Sequence, residues 1–174
     1  MNKLSAYTYV ENYNYNFLKK LPKKVSLIYR NYIKTDTTEI QKIHKYCRLN
    51  KRKFFISDDV KLAIKLKVNG VYIPSFNRNL NINFYRFNKK FEIIGSAHTF
   101  KEIRCKEKQN VSKIFISPLF KNYKSDKYLG IHRMIHLKNF SKKKIICLGG
   151  IKKKNIRKLH LINPNGFAAI SLFT

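Results

Sequence analysis

Apolar residues along the chain gather in short runs, and the segments between them carry a helical period. Eight runs have strand length: Leu4 to Val10, Val25 to Arg30, Lys53 to Ile56, Gly70 to Ile73, Phe91 to Ile94, Lys113 to Ser117, Lys144 to Leu148 and Gly166 to Ser171. Several are apolar on both faces, Ile145-Ile146-Cys147-Leu148 most plainly, which is the pattern of a parallel strand covered by helices. Asp36 with Glu39 three residues on makes a capping-box pattern, after which Ile40, Ile43, His44 and Cys47 fall on one helical face. Thr99 with Glu102 repeats the device. Asp58 and Asp59 open a further helix, with a predicted inner face of Val60, Ala63 and Ile64 and with acids at the positive end of its dipole. Strand and helix are thus expected to alternate throughout. The expectation is one α/β domain over residues 1–174, a compact (β/α)8 TIM barrel, although 174 residues is below the usual floor of about 200. Leu172 to Thr174 alone follow the eighth run, so the last outer helix is expected to be missing. An apolar flank left bare there predicts a homo-oligomeric contact.

Composition narrows the class. An apolar share of 44% can bury a core, which excludes general disorder. No run of about 18 apolar residues exists, and Met1 to Leu21 lacks a signal-type stretch, so a soluble, cytoplasmic protein away from membranes is expected. Cys47, Cys105 and Cys147 are odd in number and form no CxxC pair, which indicates neither a disulfide framework nor a cysteine zinc site. The 38 Lys and Arg against 9 Asp and Glu give a net charge of +29 and invite a nucleic-acid reading. The basic residues, however, spread along the whole chain without a recognisable module. The joint excess of Lys, Asn, Ile, Tyr and Phe follows AT-rich codons, so composition outweighs nucleic-acid binding as an explanation.

In a barrel of this kind chemistry sits at the carboxyl ends of the strands, and phosphate is often held after strands seven and eight. Leu148-Gly149-Gly150-Ile151 and Gly166 to Ser171 occupy those places. Their glycines either let backbone N–H groups approach an anion or merely make a tight turn, and the pattern leaves both readings open. His98 falls at a strand end, as a packing residue or a general acid–base. His132 and His136 share a helical face, but no third ligand accompanies them, so zinc is not indicated. Tyr7, Tyr9, Tyr13, Tyr15 and Phe17 are expected to pack the first strand and helix.

The order of these segments resembles the thiamine-phosphate synthase and TenI family. Members read Q-L-R-x-K after strand two, I-N-D-R after strand three, G-V-H-L-G-Q-x-D at strand four, S-x-H after strand five, G-P-x-F with Thr and Lys after strand six, G-G-I after strand seven and G-x-A-x-x-S at strand eight. Here the slots hold Ile28-Tyr29-Arg30-Asn31-Tyr32, Ile56-Ser57-Asp58-Asp59, Gly70-Val71-Tyr72-Ile73-Pro74-Ser75-Phe76-Asn77, Ser96-Ala97-His98, Ser117-Pro118-Leu119-Phe120, Gly149-Gly150-Ile151 and Gly166 to Ser171.

The resemblance implies coupling of an aminopyrimidine methyl diphosphate to a thiazole phosphate, with release of pyrophosphate and help from magnesium. It implies Asp58 and Asn77 at the metal, Ser96 beside the reacting pyrimidine, and Gly149, Gly150, Ile170 and Ser171 around the thiazole phosphate. Arg30 keeps the family arginine after strand two. Lys124 or Lys127 stands where the family lysine follows strand six. The departures are Ile28 for Gln, Tyr32 for Lys, Ser57 for Asn and Asn77 for the second metal aspartate, which weakens a doubly charged metal site. Pro118 fills the slot in which tautomerase relatives carry His. Two further readings stand beside the synthase: a TenI-like non-catalytic or regulatory binder of thiamine precursors and, more distantly, a basic nucleic-acid-binding protein.

Overall fold

The computed structural model describes residues 4–33, 36–122 and 126–173. Eight parallel strands close into a barrel in chain order, β8 returning to β1. They are β1 (Ser5–Val10), β2 (Val25–Tyr29), β3 (Phe54–Ser57), β4 (Gly70–Ile73), β5 (Glu92–Ala97), β6 (Lys113–Ile116), β7 (Lys144–Leu148) and β8 (Gly166–Ala168). Five α-helices lie outside: α1 (Tyr15–Lys20), α2 (Thr37–Leu49), α3 (Val60–Lys65), α4 (Phe100–Lys108) and α5 (Gly130–Phe140). This is the TIM-barrel α/β fold that the run pattern predicts.

The inward positions are aromatic to an unusual degree. Tyr7, Tyr9, Phe55, Tyr72 and Phe115 fill the barrel with Ile28, Ile94, Ile146 and Ala168. Tyr7 meets Phe115 edge-on at 5.0 Å and Tyr72 meets Phe115 at 5.5 Å, geometries that suit the ring quadrupoles. Tyr7 and Tyr9 therefore pack the barrel itself, whereas Tyr15 is exposed on α1. Outward positions join two helix-covered cores, one under α1–α3 and one under α4 and α5.

Asp36, Asp59 and Thr99 each cap the helix that follows. The glutamates of the two capping boxes reach elsewhere: Glu39 Oε2 accepts from Tyr13 N and Glu102 Oε2 from His98 N. Both fasten the preceding loop rather than the cap residue. On α3 Ala63 is buried, but Ile64 turns outward and Leu62 and Leu66 pack in its stead.

Alternation is not strict. Between β4 and β5 the one helical element is a 3-10 turn, Asn81–Phe84, and between β7 and β8 another, Ile156–Leu161. Asparagine explains the first: Asn77, Asn79 and Asn88 each accept, on the side-chain oxygen, the backbone N–H two residues on, closing local turns that compete with a helix. β5 runs to Ala97, beyond the predicted Ile94, because Gly95 and Ser96 continue the ladder beside Ile114 and Phe115. After β8, residues 169–173 form turns. Phe173 stacks on Phe167 and packs on both outer cores, so the flank expected to be bare carries a cover. No helix among the described residues is long and apolar enough to cross a membrane.

Candidate functional site

At the carboxyl ends of the strands the molecule offers two unlike half-sites. On the β7–β8 side a cleft of about 130 Å³ is lined by Arg30, Asn122, Gly149, Gly150, Lys152 and Ser171, with Ile170 and Ala169 on its apolar wall. All four residues that the family resemblance assigns to phosphate thus meet here, together with Arg30 from the end of β2. Lys152, two residues past the glycines, and Asn122 also line the cleft, although no motif marked them. Asn155 receives the backbone N–H of Lys152 and returns its own amide to the Gly150 carbonyl, so the turn is held from within.

Gly149 and Gly150 both have left-handed backbone, φ 96° and 68°. A Cβ on Gly150 would lie 2.4 Å from Phe120 O and 2.6 Å from Lys121 O, and one on Gly149 2.8 Å from Pro118 Cα. The glycines are therefore required by the close seating of this turn against the loop after β6. The tight-turn and phosphate readings are compatible: the same approach leaves backbone bordering the cleft.

Arg30 spans the centre of the mouth. Its guanidinium stands 4.0 Å over the Tyr9 ring, a cation–π contact that fixes the charge without neutralising it. Beneath, Tyr9 Oη donates to Tyr72 Oη at 3.1 Å. Burial pushes the Tyr9 phenol well up, which keeps it a donor. Ser96 is buried and pairs in register with inward-facing Phe115, so its side chain belongs to the same central layer. Lys124 lies outside the described residues. Lys121, in the same loop, pairs with Asp126 at 2.9 Å.

The β3–β4 side is built differently. Asp58 holds a left-handed φ of 63° at the end of β3, and Asn77 follows β4. Asn77 Nδ2 donates to Asp58 Oδ1 at 2.6 Å, while Asn77 Oδ1 accepts from Asn79 N at 2.9 Å. The amide thus turns its hydrogen-bearing nitrogen, not its oxygen, toward the carboxylate. Behind them Lys106 is fully buried; its Nζ donates to Asn77 O at 2.6 Å and to Gln109 Oε1 at 2.8 Å. Burial pulls this lysine down to about 8. Among the described residues no group of three His, Cys, Asp or Glu side chains could share a metal ion. Asp58 with an amide donating into it, Asp59 turned to cap α3 through Leu62 N, and an ammonium close behind do not fit a divalent cation, which needs converging oxygens and negative charge. Nearby, Tyr32 and Phe76 meet edge to face at 5.6 Å, with Tyr32 Oη 3.4 Å from Ser57 Oγ.

Two of the histidines marked in the sequence have local partners. His98 Nδ1 lies 2.8 Å from the Ser117 carbonyl, tying the ends of β5 and β6, and His136 meets Phe100 edge-on at 5.4 Å.

Comparison with known proteins adds the following. A sequence model described as thiamine monophosphate synthase matches residues 24–173. A protein of Aquifex aeolicus (strain VF5), provisionally named thiamine-phosphate synthase 2, is 25% identical, with 98% of this chain and 97% of that one covered. The thiamine-phosphate synthase of Methanococcus vannielii is 25% identical over 75% of this chain and 64% of its own length. That of Helicobacter pylori (strain HPAG1) is 28% identical over 76% and 62%. The chain therefore spans under two thirds of these last two relatives. Among solved structures, thiamine phosphate pyrophosphorylase from Pyrococcus furiosus superposes with a TM-score of 0.77 at 17% identity, covering 99% of this chain and 91% of that one, a likeness of fold.

Proposed function

The chain belongs to the thiamine monophosphate synthase family, and on that premise we propose that it binds a phosphorylated thiazole in the β7–β8 cleft and couples it to an aminopyrimidine methyl diphosphate. The observation that carries this reading is the convergence of Gly149, Gly150, Ile170 and Ser171 with Arg30 on one cleft. Backbone and hydroxyl donors there suit a monophosphate.

The thiazole nitrogen attacks the pyrimidine methylene as the bond from that carbon to the diphosphate oxygen breaks, and pyrophosphate departs with the bonding pair. Negative charge grows on the leaving group, so fixed positive charge at the mouth lowers the barrier. Arg30 and Lys152, which line the cleft, supply it, with Lys124 or Lys127 as the loop contribution. Ser96 orients the pyrimidine from the central layer. No step is assigned to magnesium, since the surroundings of Asp58 do not fit it.

A second reading, a binder of thiamine precursors that does not turn over, is favoured by one feature: Asp58 is engaged by the Asn77 amide. Incubation with both substrates, read as thiamine phosphate formed, separates the two. Product that is lost in Arg30→Met supports coupling. No product alongside retained thiazole phosphate binding supports the binder, and no binding of either substrate removes both.

A further inference from the structure

At the opposite end of the barrel a second cleft, of about 280 Å³, opens between the starts of β1, β2 and β3. Its rim carries Lys23 and Lys24, Lys51 and Lys53, and Lys113, with Arg52 in its wall and Ser5, Ser26 and Tyr7 among its lining residues. One carboxylate, Glu92, answers this charge by pairing with Lys53 and Lys113. Among the described residues no ion pair engages Lys23, Lys24 or Lys51. Lys144 lies beside Lys113 in the β6–β7 register and continues the cationic rim.

Holding like charges together costs energy, and this fold spends a buried arginine on doing so. Arg52 donates from Nη1 to Pro22 O and Val25 O, both at 2.8 Å, and from Nη2 to Leu21 O at 3.2 Å. It thereby clamps the loop bearing Lys23 and Lys24 against the turn bearing Lys51 and Lys53. Arg52 is 7% exposed and, among the described residues, its Nε has no hydrogen-bond partner, a desolvation cost that its three backbone contacts offset only in part. Lys51, at a left-handed φ of 49°, adds backbone strain to the same turn. Helix-dipole preference explains basic residues near helix ends, but not a concave cluster braced in this way. Total charge gave no reason to single out one face of the molecule; the placement of these groups does.

We propose that this amino-terminal mouth is a second anion site, remote from the thiazole phosphate cleft, for a chain of phosphates, either free polyphosphate or the backbone of a nucleic acid strand. The cleft admits one or two phosphate groups, and the rim extends the contact to a longer chain. Binding is electrostatic and falls steeply with salt.

The test compares wild type, Lys23→Glu/Lys24→Glu/Lys51→Glu and Arg30→Met/Ser171→Asp at about 50 and 200 mM salt. Inorganic tripolyphosphate is titrated by calorimetry and a labelled single-stranded RNA of twelve nucleotides by fluorescence anisotropy. The lysine variant is expected to lose about tenfold or more at low salt; the Arg30/Ser171 variant, which removes whatever tripolyphosphate takes in the phosphate cleft, is expected to keep the component that the lysine variant loses. A triple Lys→Gln variant repeats the measurement at exposed positions where folding is unaffected, and decides the matter if the Glu variant does not fold. Binding of both probes, or of tripolyphosphate alone, supports the site with free polyphosphate as a ligand. RNA binding alone supports it with the nucleic acid backbone as its source. Absence of binding to wild type, equal affinity in the lysine variants, or loss of all binding in the Arg30/Ser171 variant would overturn it.

Discussion

The two halves of the carboxyl-terminal mouth stand on the same barrel and use opposite materials. The β7–β8 half presents glycine backbone, a serine and an arginine whose charge is left unneutralised over Tyr9. The β3–β4 half has its Asp58 carboxylate occupied by the Asn77 amide, with the Lys106 ammonium bonded to the Asn77 carbonyl behind it. A backbone cradle depends on chain path, which packing preserves, whereas a metal centre depends on the identity of a few side chains. In the second half the Asp58 carboxylate meets the Asn77 amide rather than a second acid, whereas the glycine backbone of the first does not depend on that side chain.

Charge placed in the cradle should have the largest effect. Ser171→Asp sets a carboxylate against the bound phosphate and is expected to weaken thiazole phosphate by about 100-fold, or about 2.7 kcal/mol, by calorimetry. A Gly150 substitution would be a poor substitute, because its Cβ strikes the Phe120 and Lys121 carbonyls and unseats the loop. Arg30→Met, which keeps the stem over Tyr9 and removes the charge, should cost about tenfold in the same titration, within the range of charge-assisted hydrogen bonds. Asn77→Asp probes the other half. A second carboxylate beside Asp58 should tighten magnesium binding by about tenfold, read by calorimetry with the metal alone, and an unchanged affinity would show that Lys106 rather than residue 77 sets the charge there.

The smallest effect concerns Lys106. Its folded value of about 8 lies below its ordinary 10.5, so between these limits the unfolded chain holds the extra proton and this group's contribution to stability rises with pH. Wild type should gain roughly 2–4 °C in Tm relative to Lys106→Met between about pH 7 and 9, measured by thermal melts at matched ionic strength.

Most of the barrel was legible because parallel strands buried on both faces leave apolar runs, and the runs at 70–73 and 144–148 match β4 and β7 residue for residue. The loop after β4 was not: Asn77 reads as a metal ligand and the later asparagines suggest no role, although their side chains rebuild the connection as a series of turns. In the site, Gly149, Gly150, Ile170 and Ser171 were legible from order along the chain. Arg30 over Tyr9 was not, since it depends on a ring presented by another strand. Lys106 gave no signal, because a lysine in an amphipathic helix reads as solvent-facing until a loop is laid across it. The same holds for Arg52, which lies in a basic run whose neighbours are exposed.

The central claim is that the phosphate half of the mouth works on its own terms. Calorimetric titration of the thiazole phosphate, with and without magnesium, tests it most directly. Binding of equal strength in both conditions, lost in Ser171→Asp, is the predicted result; binding that requires magnesium, or that survives the added carboxylate, would contradict it.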